Sequence, residues 1–190
     1  LVSRAGYTLD SLPESATIGT GSPRRAAQIR HLRPDLRVEG IRGNIDTRVR
    51  KALDPDGPYD AIILARAGLA RLQMEHVISD ALSLAAMLPA PGQGALAVQC
   101  RERGDSRAVL APIQDGETTR AVMAERAFLH ALEGGCAVPV AAYATLESSA
   151  DLLLHGRVCA PDGSQKVDVS RRYTVTSVAD AKRAGAMLAA

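Results

Sequence analysis

Two groups of residues in this sequence have the types and spacing to do chemistry. The first is a cysteine directly after two glycines, in Leu132-Glu133-Gly134-Gly135-Cys136-Ala137-Val138-Pro139. Glycine reaches backbone angles closed to other residues and leaves little bulk beside the sulfur, so a thiol there is open to an incoming group. The thiolate is the reactive form, and the position suits a nucleophile or a covalent anchor. The competing reading is a small buried residue in a turn. The second group is a set of arginines beside glycine turns: Arg24 and Arg25 after Gly19-Thr20-Gly21-Ser22-Pro23, Arg42 before Gly43-Asn44, Arg48 after Thr47, and Arg71. Only Lys51, Lys166 and Lys182 are lysines. Arginine grips carboxylate or phosphate with two prongs, so clustering matters more than count. A solvated basic face is the alternative, and it is the preferred reading for Arg30, Arg33, Arg37 and Arg50.

The elements that must position these arginines read as repeated strand, turn and helix. Ala16-Thr17-Ile18 is a short strand. Ser22 is a good N-cap and Pro23 a good first helical residue, so a helix runs from Pro23 to about Leu32 with Ala26, Ile29 and Leu32 or Ala27 inward. The free N–H groups at such a helix start favour an anion, and Thr20, Ser22, Arg24 and Arg25 add side-chain donors. The turn lacks GxGxxG or Walker spacing. A second strand, Leu36 to Ile41, leads to a helix over 44–53 with Ile45, Val49 and Leu53 on one face. A third, Tyr59 to Ala65, is a continuous apolar run that leads to a helix start at Ala67 with Arg71 on its exposed side. In a parallel sheet these turns share the carboxyl edge, where open sheets bind ligands, so Arg24, Arg25, Arg42 and Arg48 can meet at one cleft with Arg71 on the same rim. Leu1 to Pro13 reads as turn, and two short helical segments run to about Leu84.

Leu88-Pro89-Ala90-Pro91-Gly92-Gln93-Gly94 reads as a hinge or domain crossing. Beyond it, Ala95 to Cys100 is an expected strand with Cys100 in the core, and Ser106 to Ile113 a helix. The spacing of Ala121, Ala124, Phe128, Ala131 and Leu132 predicts an amphipathic helix over 118–132, stopped by Gly134 and Gly135 and kept from restarting by Pro139. Val138 to Leu146, Leu152 to Val158 and Lys166 to Val175 are strands, the last two a hairpin on Pro161-Asp162-Gly163. Ser177, with Asp180 three residues on, caps a final helix. Cys159 reads as structural, and His130 and His155 have no ligand spacing, so no metal site is expected.

The 190 residues, 46% of them apolar, allow one large or two small globular domains. The expected fold is α/β: a hinged, periplasmic-binding-protein-like α/β domain over 1–90, a hinge and returning strand and helix over 91–114, and a small α+β domain with a three-stranded sheet over 115–190. No apolar run reaches the roughly 18 residues of a membrane span and no leader opens the chain, so neither membrane nor secretion is expected. Three cysteines without CxxC spacing point to reduced thiols in the cytoplasm. A net charge of +2 and 3% aromatic residues, with no stacking platform, argue against nucleic acid. The chain opens on Leu1 without a methionine and ends inside a helical pattern, so both ends read as cut.

Glu125-Arg126-Ala127-Phe128, Leu132 to Cys136 and Val138-Pro139-Val140 together resemble the signature of porphobilinogen deaminase, also called hydroxymethylbilane synthase. Gly19 to Arg25, Arg42-Gly43-Asn44 with Thr47-Arg48, Asp60 to Ala65 with Gly68-Leu69 and Arg71, Leu88 to Ala95, and Ala160 to Ser164 are similar to further blocks in the family's order. The resemblance spans essentially the whole chain. It implies a transferase that joins four porphobilinogen units, with loss of ammonia through an electrophilic azafulvene, into a linear tetrapyrrole on a dipyrromethane cofactor. That cofactor would be held through a thioether on Cys136, an anchor and not the turnover nucleophile. The resemblance places Thr20, Ser22, Arg24, Arg25, Arg48 and Gly135 with Cys136 at the cofactor, and Arg42, Arg48 and Arg71 with the incoming pyrrole and the growing polypyrrole. It further implies a monomer at full length and a catalytic aspartate in an N-terminal region before Leu1. None of Asp35, Asp46 or Asp60 sits in the family's aspartate motif, so these residues alone are expected to be inactive. The rival is a solute-binding or sensor module of the same architecture, which gives Cys136 no role.

Overall fold

The computed structural model describes residues 1–101, 105–133 and 138–190. Its elements in chain order are β1 (Val2–Ser3), β2 (Thr17–Gly19), α1 (Pro23–Leu32), β3 (Arg37–Glu39), α2 (Ile45–Leu53), β4 (Ala61–Ile62), α3 (Arg66–Arg71), α4 (Ser106–Leu110), α5 (Gly116–Ala131), β5 (Val140–Leu146), β6 (Asp151–Cys159), β7 (Lys166–Thr174) and α6 (Val178–Ala189). The chain divides into two compact units, and the division falls after Leu88.

The first unit holds Leu1–Leu88 with a later stretch ending at Val140 and Val158–Val167. Its sheet has the order β1-β4-β2-β3. β2 runs parallel to both β3 and β4, with Ile18 opposite Val38 on one side and Ala61 on the other. The turns after β2, β3 and β4 therefore open on one edge. Ala61 and Ile63 pack in a core with Leu9, Leu12, Ile18, Ile29 and Leu36, while Ile62 packs in another with Val2, Ile41, Val49 and Leu69. That alternation between successive residues is a strand covered on both faces. The leading residues are not simply turn, as expected: β1 pairs antiparallel with β4 and buries Val2 against Ile62. A two-residue strand has too little sequence to show its period. Of the two helical segments expected before Leu84, a single 3₁₀ turn forms, at Glu75–Val77.

The second unit begins at Pro89 and includes Ala141–Arg157 and Asp168–Ala190. The strands form a three-stranded antiparallel sheet in the order β5-β6-β7. Leu152, Leu154 and Val175 pack with Ala124 of α5 and Ala181 and Ala184 of α6. α6 starts on the capping box expected from Ser177 and Asp180. Cys159 is buried, as expected.

Ala95–Cys100 is a correction: it forms no strand, Leu96 and Val98 are 79% and 61% exposed, and Cys100 is exposed and not in the core. A strand exists through hydrogen bonds to a neighbour, and among the described residues none lies beside it.

Candidate functional site

β2 ends at Gly19, where a Cβ would lie 2.9 Å from the Tyr59 ring, and Gly21 passes Ile41 so closely that a Cβ would stand 3.0 Å from its carbonyl oxygen. Side chains are excluded, and the first turn is pressed against the second. Thr20 is buried, its N–H donates to Glu39 O at 2.9 Å, and its Oγ1 accepts from the Ser22 N–H at 3.2 Å. Ser22 caps α1 by accepting from the Arg25 N–H at 3.4 Å. Both hydroxyls are used here as acceptors, which leaves their O–H hydrogens to donate.

Arg24 and Arg25 stand in the first turn of α1. Arg25 Nη1 donates to Ile63 O at 3.3 Å, just past β4. Burial foremost, and then the charges of Arg24 and Arg48, hold the Arg25 guanidinium below the usual arginine range. Arg25 therefore feels the positive charge of both Arg24 and Arg48. Arg48 comes from α2, and its Nε donates back to Gly43 O at 2.7 Å. Gly43 has φ +119, a conformation that favours glycine, and its Cβ would meet Thr47 at 2.9 Å. Arg24 Nη1 donates to Val140 O at 3.2 Å, the first residue of β5.

The structure thus brings Thr20, Ser22, Arg24, Arg25 and Arg48 to one edge. Arg42 stands on the same edge, in the turn after β3 and next to Ile41, and Arg71 lies further along, on the helix that follows β4. Arg42 is exposed in the loop before α2, with its carbonyl taken by Lys51 Nζ at 3.2 Å. Arg71 is exposed on the last turn of α3, roughly 8 Å of helix beyond its start. Cys136 and Gly135 lie outside the described residues.

Arg30 and Arg33 differ from the solvated face expected of them. Arg33 donates to Leu9 O at 2.7 Å and Leu12 O at 2.9 Å and pairs with Asp35 at 2.6 Å. Arg30 Nη1 donates to Pro161 O at 2.9 Å. Their carbonyl acceptors are distant in sequence, so helical spacing could not reveal them. Of the acids, Asp60 accepts from the Thr17 N–H at 2.8 Å and pairs with Arg4 at 2.9 Å. Asp35 and Asp60 are therefore structural.

Glu125, unremarked beyond its place in the motif, is buried in α5 and accepts from the Gly92 N–H at 2.5 Å and the Ala144 N–H at 2.8 Å. Burial raises its pKa, and the two amide bonds oppose the rise. A carboxylate four residues after Ala121 and three before Phe128, inside an apolar face, was the available signal. It ties the Pro89 to Gly94 stretch to α5 and β5 within the second unit. No group of three or more His, Cys, Asp or Glu side chains among the described residues is placed to hold a metal, and no helix among them is long and apolar enough to cross a membrane.

Residues 1–109 match the family model described as porphobilinogen deaminase, dipyromethane cofactor binding domain, and residues 119–190 match porphobilinogen deaminase, C-terminal domain. The chain belongs to the porphobilinogen deaminase family. It is 51% identical over 166 residues to a porphobilinogen deaminase of Brevibacillus brevis, covering 87% of this chain and 53% of that protein. To that of Sorangium cellulosum it is 47% identical over 192 residues, covering 100% of this chain and 63% of the relative. A third, from Mycobacterium bovis, is 48% identical over 200 residues. The chain spans between half and two thirds of the length of these relatives. The mixed α/β fold with a separate three-stranded sheet agrees with the porphobilinogen deaminase architecture. The cofactor-binding domain of the family covers the arginine edge, and that edge fits the group: guanidinium groups grip carboxylates with paired N–H donors.

Proposed function

We propose that this chain carries the cofactor site of a hydroxymethylbilane synthase, a transferase that polymerises four porphobilinogen units, with loss of ammonia, into hydroxymethylbilane for tetrapyrrole and haem synthesis. The observation that carries the reading is the meeting of Arg24, Arg25 and Arg48 at the carboxyl edge of the parallel strands. Dipyrromethane, bound through a thioether at Cys136 beside Gly135, supplies the pyrrole end on which the chain grows. Arg24, Arg25 and Arg48 hold its carboxylates, and the hydroxyls of Thr20 and Ser22 donate alongside them. Arg42 and Arg71, exposed and without a side-chain ion pair among the described residues, together with Arg48 receive the acidic arms of the incoming pyrrole and the lengthening polypyrrole. Residues 1–90 form the arginine-lined domain, 91–114 the hinge and the returning segment with its helix, and 115–190 the cofactor-anchoring domain. The working protein is a cytoplasmic monomer, and its catalytic aspartate is supplied from outside these residues.

Mass spectrometry of the full-length protein tests this. The proteolytic peptide containing Cys136 is expected to carry the added mass of two linked pyrroles, and a Cys136→Ser variant to carry none and to consume no porphobilinogen. A bare thiol at Cys136 in the active-length protein sinks the synthase reading and leaves an anion-binding module.

A further inference from the structure

The far end of α1 is fastened to the turn between β6 and β7. Asp162 Oδ1 shapes that turn by accepting from Ser164 N–H at 3.0 Å and Ser164 Oγ at 2.7 Å, and the Gly163 N–H donates to Ala160 O at 2.9 Å. From the last turn of α1, Arg30 Nη1 donates to Pro161 O at 2.9 Å. His31 Nδ1 lies 3.0 Å from Gly163 O. A carbonyl only accepts, so that nitrogen carries the hydrogen. Gly163 has φ +79, and a Cβ there would lie 2.6 Å from Arg30 Cβ and 2.7 Å from both the Arg30 carbonyl carbon and His31 N. Two of those three atoms are backbone and cannot swing aside.

α1 is held at its middle as well. Gln28, 1% exposed, accepts from the Leu88 N–H at 2.8 Å and donates to Leu88 O at 3.0 Å. With Gln28 as a pivot, a displacement of the last turn tilts the helix and moves its first turn in the opposite sense. Arg24 and Arg30 are separated by roughly 9 Å of helix, short enough for the rod to stay rigid.

We propose that Gly163, Arg30 and His31 are positioning residues for the anion site: the β6–β7 turn sets the tilt of α1, and with it where the Arg24 and Arg25 guanidinium groups meet a carboxylate-bearing ligand. The identity of that ligand rests on the function proposed above; the mechanical coupling does not.

The test reads the arginines directly. The side-chain Nε–Hε resonances of Arg24, Arg25 and Arg48 are compared by NMR in the parent chain, in Gly163→Ala, in the double variant Arg30→Ala/His31→Ala, and in the control Gly6→Ala. Gly6 also has positive φ, at +72, but nothing stands within 4 Å of its Cβ. The Arg24 and Arg25 resonances are expected to shift in Gly163→Ala and in the double variant and to stay in place in Gly6→Ala, with citrate, used as a polycarboxylate probe, bound three- to tenfold more weakly by the first two. If Gly163→Ala does not fold, the double variant decides. Unmoved arginine resonances and unchanged citrate affinity in a folded variant overturn the proposal, since the turn would then act only on stability. The mass of the Cys136 peptide reports separately on the synthase reading, so either idea can fail alone.

Discussion

Arg25 shows what an anion would meet at this edge. A guanidinium pressed by burial and by two neighbouring cations is a cost in the free protein, and an anion that bridges the three converts repulsion into charge-assisted hydrogen bonds. Citrate at low ionic strength is accordingly expected to raise the melting temperature by roughly 4 to 8 °C, equivalent to about 2 kcal/mol at this chain length and ligand excess. Arg25→Met is expected to melt close to the parent without citrate and to lose most of the citrate effect. Thermal denaturation with and without citrate checks both, and an Arg25→Met protein that responds to citrate like the parent refutes the role given to this side chain. Much of this site was legible in the residues: the Ser22 cap, Pro23 and the paired arginines are local signals. The acceptors of Arg24 and Arg30, more than a hundred residues away at Val140 and Pro161, were not.

At the scale of elements, α5 and α6 pack through a glycine. A Cβ at Gly185 would stand 2.1 Å from Ala124 O and 2.8 Å from the Phe128 backbone nitrogen. Alanine gains about 1 kcal/mol over glycine in a helix interior, but forcing a methyl group against the backbone of a packed neighbour costs about 3 kcal/mol or more, so the clash wins. Gly185→Ala is expected to lower the melting temperature by at least roughly 4 °C, read by circular dichroism. An unchanged or higher melting temperature would show that the two helices separate freely. The same pair illustrates what a periodic pattern leaves open. Apolar spacing in α5 announced a helix with a buried face, and it could not say that Glu125 on that face would be satisfied by two backbone amides from Gly92 and Ala144.

At the scale of the molecule, each unit has its own core, while residues 95–101 and 105–113 contribute little to either. Leu96, Val98, Val109 and Ile113 are 61% to 79% exposed. Backbone without ladder partners opens at little cost, and proteases act where it does. Brief trypsin treatment is expected to cut first after Arg101 or Arg107, both exposed, before the exposed arginines of the first unit such as Arg37 and Arg50. Mass spectrometry of the first fragments checks this, and initial cleavage at Arg37 or Arg50 would contradict it.

By itself the sequence determined the starts of α1 and α6, the parallel repeat of strand, turn and arginine, and the family, because caps, periodicity and motifs are carried by neighbouring residues. Tertiary structure alone decided which distant carbonyls Arg24 and Arg25 reach, that Gly163 receives the end of α1, and that an apolar segment reading as a strand forms none. Each of those outcomes depends on which distant backbone lies alongside, and an isolated stretch of residues has no means of specifying its neighbour.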